Sequence, residues 1–116
     1  MGNITSCTDL IKTCADSTRL RILALLARKK MCVCELAFVL GITQPAVSKH
    51  LKKMMQSGFV ACEQDGLWTN YRLCPAHADA RELVRFIRRW LKNDTMSARD
   101  FAKARKANRE KLCCKK

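Results

Sequence analysis

Eight cysteines in 116 residues are the groups in this chain best suited to chemistry. Cys32 with Cys34 and Cys113 with Cys114 form close pairs, while Cys7, Cys14, Cys62 and Cys74 stand apart. A thiolate is a soft ligand that selects thiophilic ions, and it also oxidises reversibly. In a secreted chain this many cysteines would read as a disulfide framework. Here no basic segment near the N-terminus runs into an apolar one, so no export signal is read and the cytoplasm is the expected compartment. Metal binding or redox chemistry is then favoured over structural cross-links. A small thiol enzyme is disfavoured: there is no CxxC, no glycine-rich cofactor loop and no His or carboxylate set around a nucleophile. No organic cofactor is expected.

The formal charge of +13 exceeds what solubility needs and points to a polyanionic partner. The longest uninterrupted apolar run, Ile22 to Ala27, is far too short to span a bilayer, so nucleic acid is preferred to membrane. A chain of 116 residues is one domain with or without a tail, and as a monomer it buries only a modest core.

The elements that must position these groups begin just after Cys32. Leu36, Ala37 and Leu40 recur at helical spacing, Gly41-Ile42-Thr43 interrupts, and Val47, Leu51, Met54 and Met55 resume the pattern. The pattern is helix, tight turn, helix. Thr43 suits an N-cap, Pro45 suits the first helical turn, and Gly58 suits the end. With the apolar stripe turned to a core, Gln44, Ser48, Lys49, Lys52 and Lys53 spread over the other side. Amides, hydroxyls and cations on such a second helix read base edges and grip phosphates in a major groove.

Upstream, a short helix over the first fifteen residues, capped by Thr5 or Ser6, carries Leu10, Ile11 and Cys14. Cys7 and Cys14 read as buried small hydrophobes, or as a ligand offered across a dimer interface. Asp16 or Ser17 caps a scaffold helix, STRLRILALLARKK. Downstream, Phe59–Glu63 and Leu67–Leu73 are expected strands joined across Gln64-Asp65-Gly66, a hairpin signal. Trp68, Asn70 and Arg72 share one face of the second strand, with Arg72 the candidate phosphate contact; Cys62 and Cys74 are expected to be structural. Pro75 opens a helix to about Lys92 whose Leu83, Phe86, Ile87, Trp90 and Leu91 make a large apolar stripe. Leu83, Ile87, Trp90 and Leu91 are accordingly assigned to a dimer interface. Arg81, Arg85, Arg88 and Arg89 lie outside that stripe; most are expected to be solvated and some to touch DNA.

The expected fold is thus mainly α with a small β-hairpin, a homodimeric winged helix-turn-helix. Residues 1–92 form the DNA-binding and dimerisation domain, and residues 93–116 a basic, cysteine-containing C-terminal tail, either a helical extension or disordered.

CVCEL, followed by LGITQPAVSKHLKKMMQSGFV and a hairpin ending NYRL, resembles the ArsR/SmtB family of winged-helix metal-sensing repressors, from about Asp16 through Leu91. The resemblance implies a homodimer that binds operator DNA when ligand-free and releases it when an ion binds. It adds His50 to Gln44, Ser48 and Lys49 as recognition-helix positions. It also matches Cys32 and Cys34 to the thiol pair of members that sense arsenite, antimonite, cadmium or lead. Two departures stand out: the position three residues after Cys34, where close arsenite sensors tend to have a further cysteine, is Ala37, and the dimer-helix zinc site lacks its His and carboxylate set, with only His77 in that region.

As(III) or Sb(III) is typically satisfied by three sulfurs, so Cys32 and Cys34 leave one ligand to find, with Cys113 and Cys114 as candidates beside Cys7, Cys14 and Cys62. Residues two apart in a helix point roughly 200° from each other, so both sulfurs share one ion only if the helix start is extended or unwound. The expected function is a repressor that releases its operator when As(III) or Sb(III) binds thiolate. The alternatives are a Cd(II)- or Pb(II)-responsive repressor and a thiol redox or persulfide switch of the same fold.

Overall fold

The computed structural model describes residues 2–107 and residue 112. Among the described residues six helices and three strands follow in the order α1 (Ile4–Cys14), α2 (Ser17–Leu26), β1 (Met31–Cys32), α3 (Val33–Leu40), α4 (Gln44–Gln56), β2 (Val60–Asp65), β3 (Trp68–Leu73), α5 (Ala78–Trp90) and α6 (Thr95–Ala104). The architecture is the mainly helical winged fold that the pattern implies.

Short polar side chains set the helix starts. Asn3, rather than Thr5 or Ser6, caps α1; its side chain accepts from Ser6 N–H at 2.8 Å, and the Ser6 hydroxyl faces back to the Asn3 amide. Asp16 caps α2 by accepting from Arg19 N–H at 3.0 Å. That helix stops at Leu26, leaving Lys29 and Lys30 beyond its end. Thr43 caps α4 through the Ala46 N–H at 3.3 Å, with Pro45 in the first turn. Gly41 ends α3 at φ 70°, a left-handed conformation that only glycine adopts without strain.

The wing has a third strand. β1 is too short to leave a periodic signal, yet it pairs antiparallel with β3, giving the order β1-β3-β2. Its register sets Met31 against Tyr71 and Cys32 against Asn70. The hairpin is tighter than expected: Asp65 pairs with Trp68, so the turn is Gly66-Leu67, with Gly66 at φ 63°. Asn70 is not on an open face but only 5% exposed, under β1, and its Nδ2 donates to Asp65 Oδ2 at 3.1 Å.

The core gathers Ile22 and Leu25 of α2, Met31 of β1, Leu36 of α3, Val47, Leu51 and Met54 of α4, and Phe59, each no more than 2% exposed. Met55, placed on the core stripe by spacing, is instead 40% exposed. Helix α5 starts at Ala78, not Pro75; His77 caps it, its Nδ1 accepting from Ala80 N–H at 3.3 Å.

Residues 95–104 are helical and packed on α2 and α3. Ala104 is fully buried, Asp94 caps the helix through Ser97 N–H at 2.8 Å, and Arg21 of α2 grips Asp100 with two bonds of 2.9 Å. Arg28 also lies 4.2 Å from the centre of the Phe101 ring. No helix among the described residues is long and apolar enough to cross a membrane.

Candidate nucleic-acid interface and thiol site

Helix α4 has three faces. Val47, Leu51 and Met54 are buried. Gln44, Ser48, Lys49 and Lys52 are exposed together with Pro45 and Gln56, so the hydrogen-bonding and cationic groups expected to meet DNA share an open surface.

The third face turns towards α1 and α2. His50, Lys53 and Ser57 recur at three and four residues along it, which stacks them in a row. Lys53 Nζ lies 3.1 Å from Asp9 Oδ1, the Ser57 hydroxyl donates to Asp9 Oδ2 at 3.2 Å, and the Ser57 and Thr13 hydroxyls are 2.6 Å apart. Thr13 and Ser57 are buried, so this contact is dry. Arg19 donates from Nε to the Thr13 carbonyl at 2.7 Å, and its Nη1 lies 3.3 Å from His50 Nδ1, which must be the acceptor because guanidinium has only donors. Lys53 and Ser57 hold the Asp9 carboxyl below its usual range. Two of the expected DNA residues, His50 and Lys53, are therefore engaged by the protein itself, while Gln44, Ser48, Lys49 and Lys52 face outwards.

On the wing, Arg72 is 43% exposed and its Nε lies 3.4 Å from Glu63 Oε1, while Lys30 Nζ lies 2.7 Å from Glu63 Oε2. Lys30 chiefly, with Arg72, keeps the Glu63 carboxyl low. Leu67, 60% exposed, forms the hairpin tip.

The thiols sit at the other end of the two-helix unit. Cys32 closes β1 and caps α3 at φ −92°, ψ 170°, so its backbone is extended, while Cys34 is the second residue of the helix. The Glu35 carboxylate accepts from the Cys32 N–H at 2.9 Å and fixes the junction. Cys32 is 2% exposed and Cys34 half-buried. Cys34 is disulfide-bonded; Cys7, Cys14, Cys62 and Cys74 are free thiols, and Cys32 takes no part in a disulfide. Cys34 and Cys32 are therefore not joined to each other. Cys113 and Cys114 lie outside the described residues. Among the described residues no group of three or more His, Cys, Asp or Glu side chains is placed to hold a metal ion. Burial pushes the Cys14 thiol pKa up, with Arg19 opposing, so that thiol is a poor source of thiolate.

Leu83, Ile87, Trp90 and Leu91 converge on a groove of 290 Å³ between α1, α2 and α5, joined by Ile11 and Phe86. Trp90 is 73% exposed, Ile11 55% and Phe86 45%, an apolar surface too large for an isolated domain to leave in water at no cost. Ile11 is legible as apolar in the sequence, but only the packing of α1 against this groove brings it to α5.

The model of bacterial regulatory proteins of the arsR family matches residues 16–61, from the cap of α2 into the wing. The arsenic resistance transcriptional regulator ArsR1 of Pseudomonas putida is 34% identical over 93 residues, covering 75% of this chain and 73% of that protein. The chain belongs to the arsR family. As a member it is a DNA-binding transcriptional regulator and not an enzyme. Among solved structures, the transcriptional repressor BigR of Xylella fastidiosa superposes with a TM-score of 0.67 at 27% identity, covering 78% of this chain and 88% of that one. The homodimeric winged helix-turn-helix DNA-binding domain Mb0332 of Mycobacterium bovis does so at 0.65 and 25% identity, covering 77% of this chain and 81% of that one. Within the arsR fold, then, α3 and α4 are the helix-turn-helix and β2–β3 is the wing.

Proposed function

We propose that this arsR-family regulator is a homodimeric repressor that releases its operator when As(III) or Sb(III) is captured by the thiolates of Cys32 and Cys34. Gln44, Ser48, Lys49 and Lys52 enter the major groove from the open face of α4. Lys53, His50 and Arg72 flank that face and take phosphates, Lys53 and Arg72 exchanging a carboxylate partner for one on DNA. Leu83, Ile87, Trp90 and Leu91 meet a second copy, consistent with the homodimeric relative Mb0332.

The observation that carries the reading is the place of the thiols. Cys32 is the cap of α3 and Cys34 lies in its first turn; Leu40 hands that helix through Gly41 to α4. Cys32 is already outside the helix, so half of the required departure from helical geometry is built in. Drawing the Cys34 sulfur to the same centre acts on the first turn of α3, and α3 packs directly on the recognition helix. Coupling of about 1–3 kcal/mol, usual for allosteric regulators, is within reach of a shift in one helical turn and weakens operator binding several-fold or more. Cys113 and Cys114, on the chain beyond α6, are the proposed sources of a third sulfur. The arsenic-resistance relative in Pseudomonas putida supports the choice of ion.

A second reading is favoured by one specific feature, the disulfide at Cys34. Two thiols give a disulfide with loss of two protons and two electrons to an oxidant such as a peroxide, and a regulator cross-linked at the start of α3 would release DNA without any ion. The experiment that separates the readings is operator release by fully reduced protein, followed by DNA anisotropy, with arsenite, antimonite, Cd(II), Pb(II) or hydrogen peroxide added in turn. Release by arsenite or antimonite in excess reductant supports the proposal. Release by peroxide alone supports the redox reading, and release by Cd(II) or Pb(II) alone reassigns the inducer.

A further inference from the structure

Helix α5 and the residues just after it sort charge by face. Arg81, Arg85, Arg88 and Lys92 follow one another at four, three and four residues, the spacing that aligns side chains along a helix. With Arg89 they line one side of a groove of 680 Å³ whose other side is the end of α2 and the chain leaving β3. All five are exposed. The acids of the same helix, Asp79 and Glu82, border a different groove, beside α1. Among the described residues the row has one ion pair, Arg85 Nη1 to Glu82 Oε2 at 2.9 Å, between side chains 65% and 74% exposed.

A helix that is charged for solubility alone mixes signs at these spacings, because like charges three and four residues apart repel. The α5 row does the opposite. At 1.5 Å rise per residue it runs about 16 Å, and each strand of a duplex presents a phosphate about every 3.4 Å along the axis, so the row is commensurate with four or five phosphates. Its cations are strung out and do not converge, which suits a linear polyanion better than a small anion. Arginine, which predominates in it, grips phosphate through two parallel N–H donors. None of these residues belongs to the exposed face of α4.

We propose that the α5 row is a second DNA-backbone track, which holds duplex outside the segment read by α4. This rests on the assignment of the chain as a DNA-binding regulator and is independent of the thiol reading. Once α4 has engaged an operator, flanking duplex is present at high effective concentration, so even a weak track adds affinity.

The test compares full-length wild-type protein with the Arg81→Gln/Arg85→Gln/Arg88→Gln/Lys92→Gln variant on two duplexes, one trimmed to the footprint of α4 and the wing, the other extended by about 20 base pairs of arbitrary sequence on each side. The trimmed operator also serves as the check on folding. Wild type is expected to bind the extended duplex more tightly. The variant is expected to match wild type within two-fold on the trimmed duplex and to lose the gain on the extended one. Its salt slope on the extended duplex should fall by about 3.5 per protomer, roughly 0.9 for each of the four phosphates that are no longer neutralised. An unchanged affinity and slope on the extended duplex overturns the proposal. So does binding of a polyglutamate peptide that the variant loses while its DNA slope stays unchanged, because the row would then serve an acidic protein partner. Wild type that binds neither duplex would overturn the operator-binding reading as well, whereas wild type that binds the trimmed duplex and gains nothing from the extended one overturns only the track.

Discussion

Replacing Arg21 by Met tests whether α6 is part of the folded unit. The guanidinium makes two bonds of 2.9 Å to Asp100, whose side chain is only 7% exposed, and its own side chain is 28% exposed. Met keeps most of the aliphatic stem and removes the charge, so a carboxylate would be left in the α2–α6 contact without its donors. Breaking a fully buried pair in this way destabilises by about 3–5 kcal/mol, while a solvent-exposed pair contributes about 0–1 kcal/mol. The open side of Arg21 places Arg21→Met between these limits, at about 2–3 kcal/mol. With a urea slope of about 2 kcal/mol/M for a domain of this size, the unfolding midpoint should fall by about 1–1.5 M with the slope unchanged. Asp100→Asn, which keeps an acceptor for one guanidinium bond, should lose less than Arg21→Met. Urea titration followed by circular dichroism reads both. A midpoint within about 0.2 M of wild type for Arg21→Met would refute the reasoning and mean that α6 is held by its apolar contacts alone.

Three further outcomes follow from the same structure. The Asp9 carboxyl is depressed by Lys53 and Ser57, so the unfolded chain takes up its proton first as pH falls. The link between α1 and α4 is thus fully present above the ordinary value of 3.8 and is lost as pH drops through the lower folded value. The stability difference between wild type and Asp9→Asn, measured by denaturant titration at a series of pH values, should vanish in that acid window; a difference that persists there would mean another group carries it. Gly41→Ala, at φ 70° with open space around the added methyl, should cost about 1–2 kcal/mol from backbone strain alone, read as a lower thermal midpoint. Lys52→Ala should weaken binding to every DNA sequence alike and reduce the salt slope by about one, whereas an unchanged slope would remove it from the phosphate contacts.

Local signals are legible where they are strong. The helix-turn-helix can be read because Thr43, Pro45 and the Val47, Leu51, Met54 stripe agree, and the wing because Asp65-Gly66 separates two strand-like runs. What escapes depends on contacts between residues remote in the chain. β1 has only Met31 and Cys32, too few to alternate, and exists because β3 offers it an edge. Asn70 reads as a surface residue until that edge is covered. The packing of α6 rests on an ion pair joining Arg21 to Asp100, and the inward turn of Lys53 on Asp9, neither of which periodicity can show. Met55 is the reverse case: its spacing fits the core stripe, but no element covers it. Cys32 and Cys34 stand out by composition, yet the extended backbone that frees Cys32 from the helix is set by the Glu35 carboxylate and the β1 pairing together.

The most direct measurement is inducer-driven operator release by reduced protein carrying Cys32→Ser and Cys34→Ser together. The double variant should bind operator as tightly as wild type and stay bound at arsenite concentrations that free the wild type completely. If it lets go at the same dose, the ion is captured elsewhere, and the start of α3 is not the sensor.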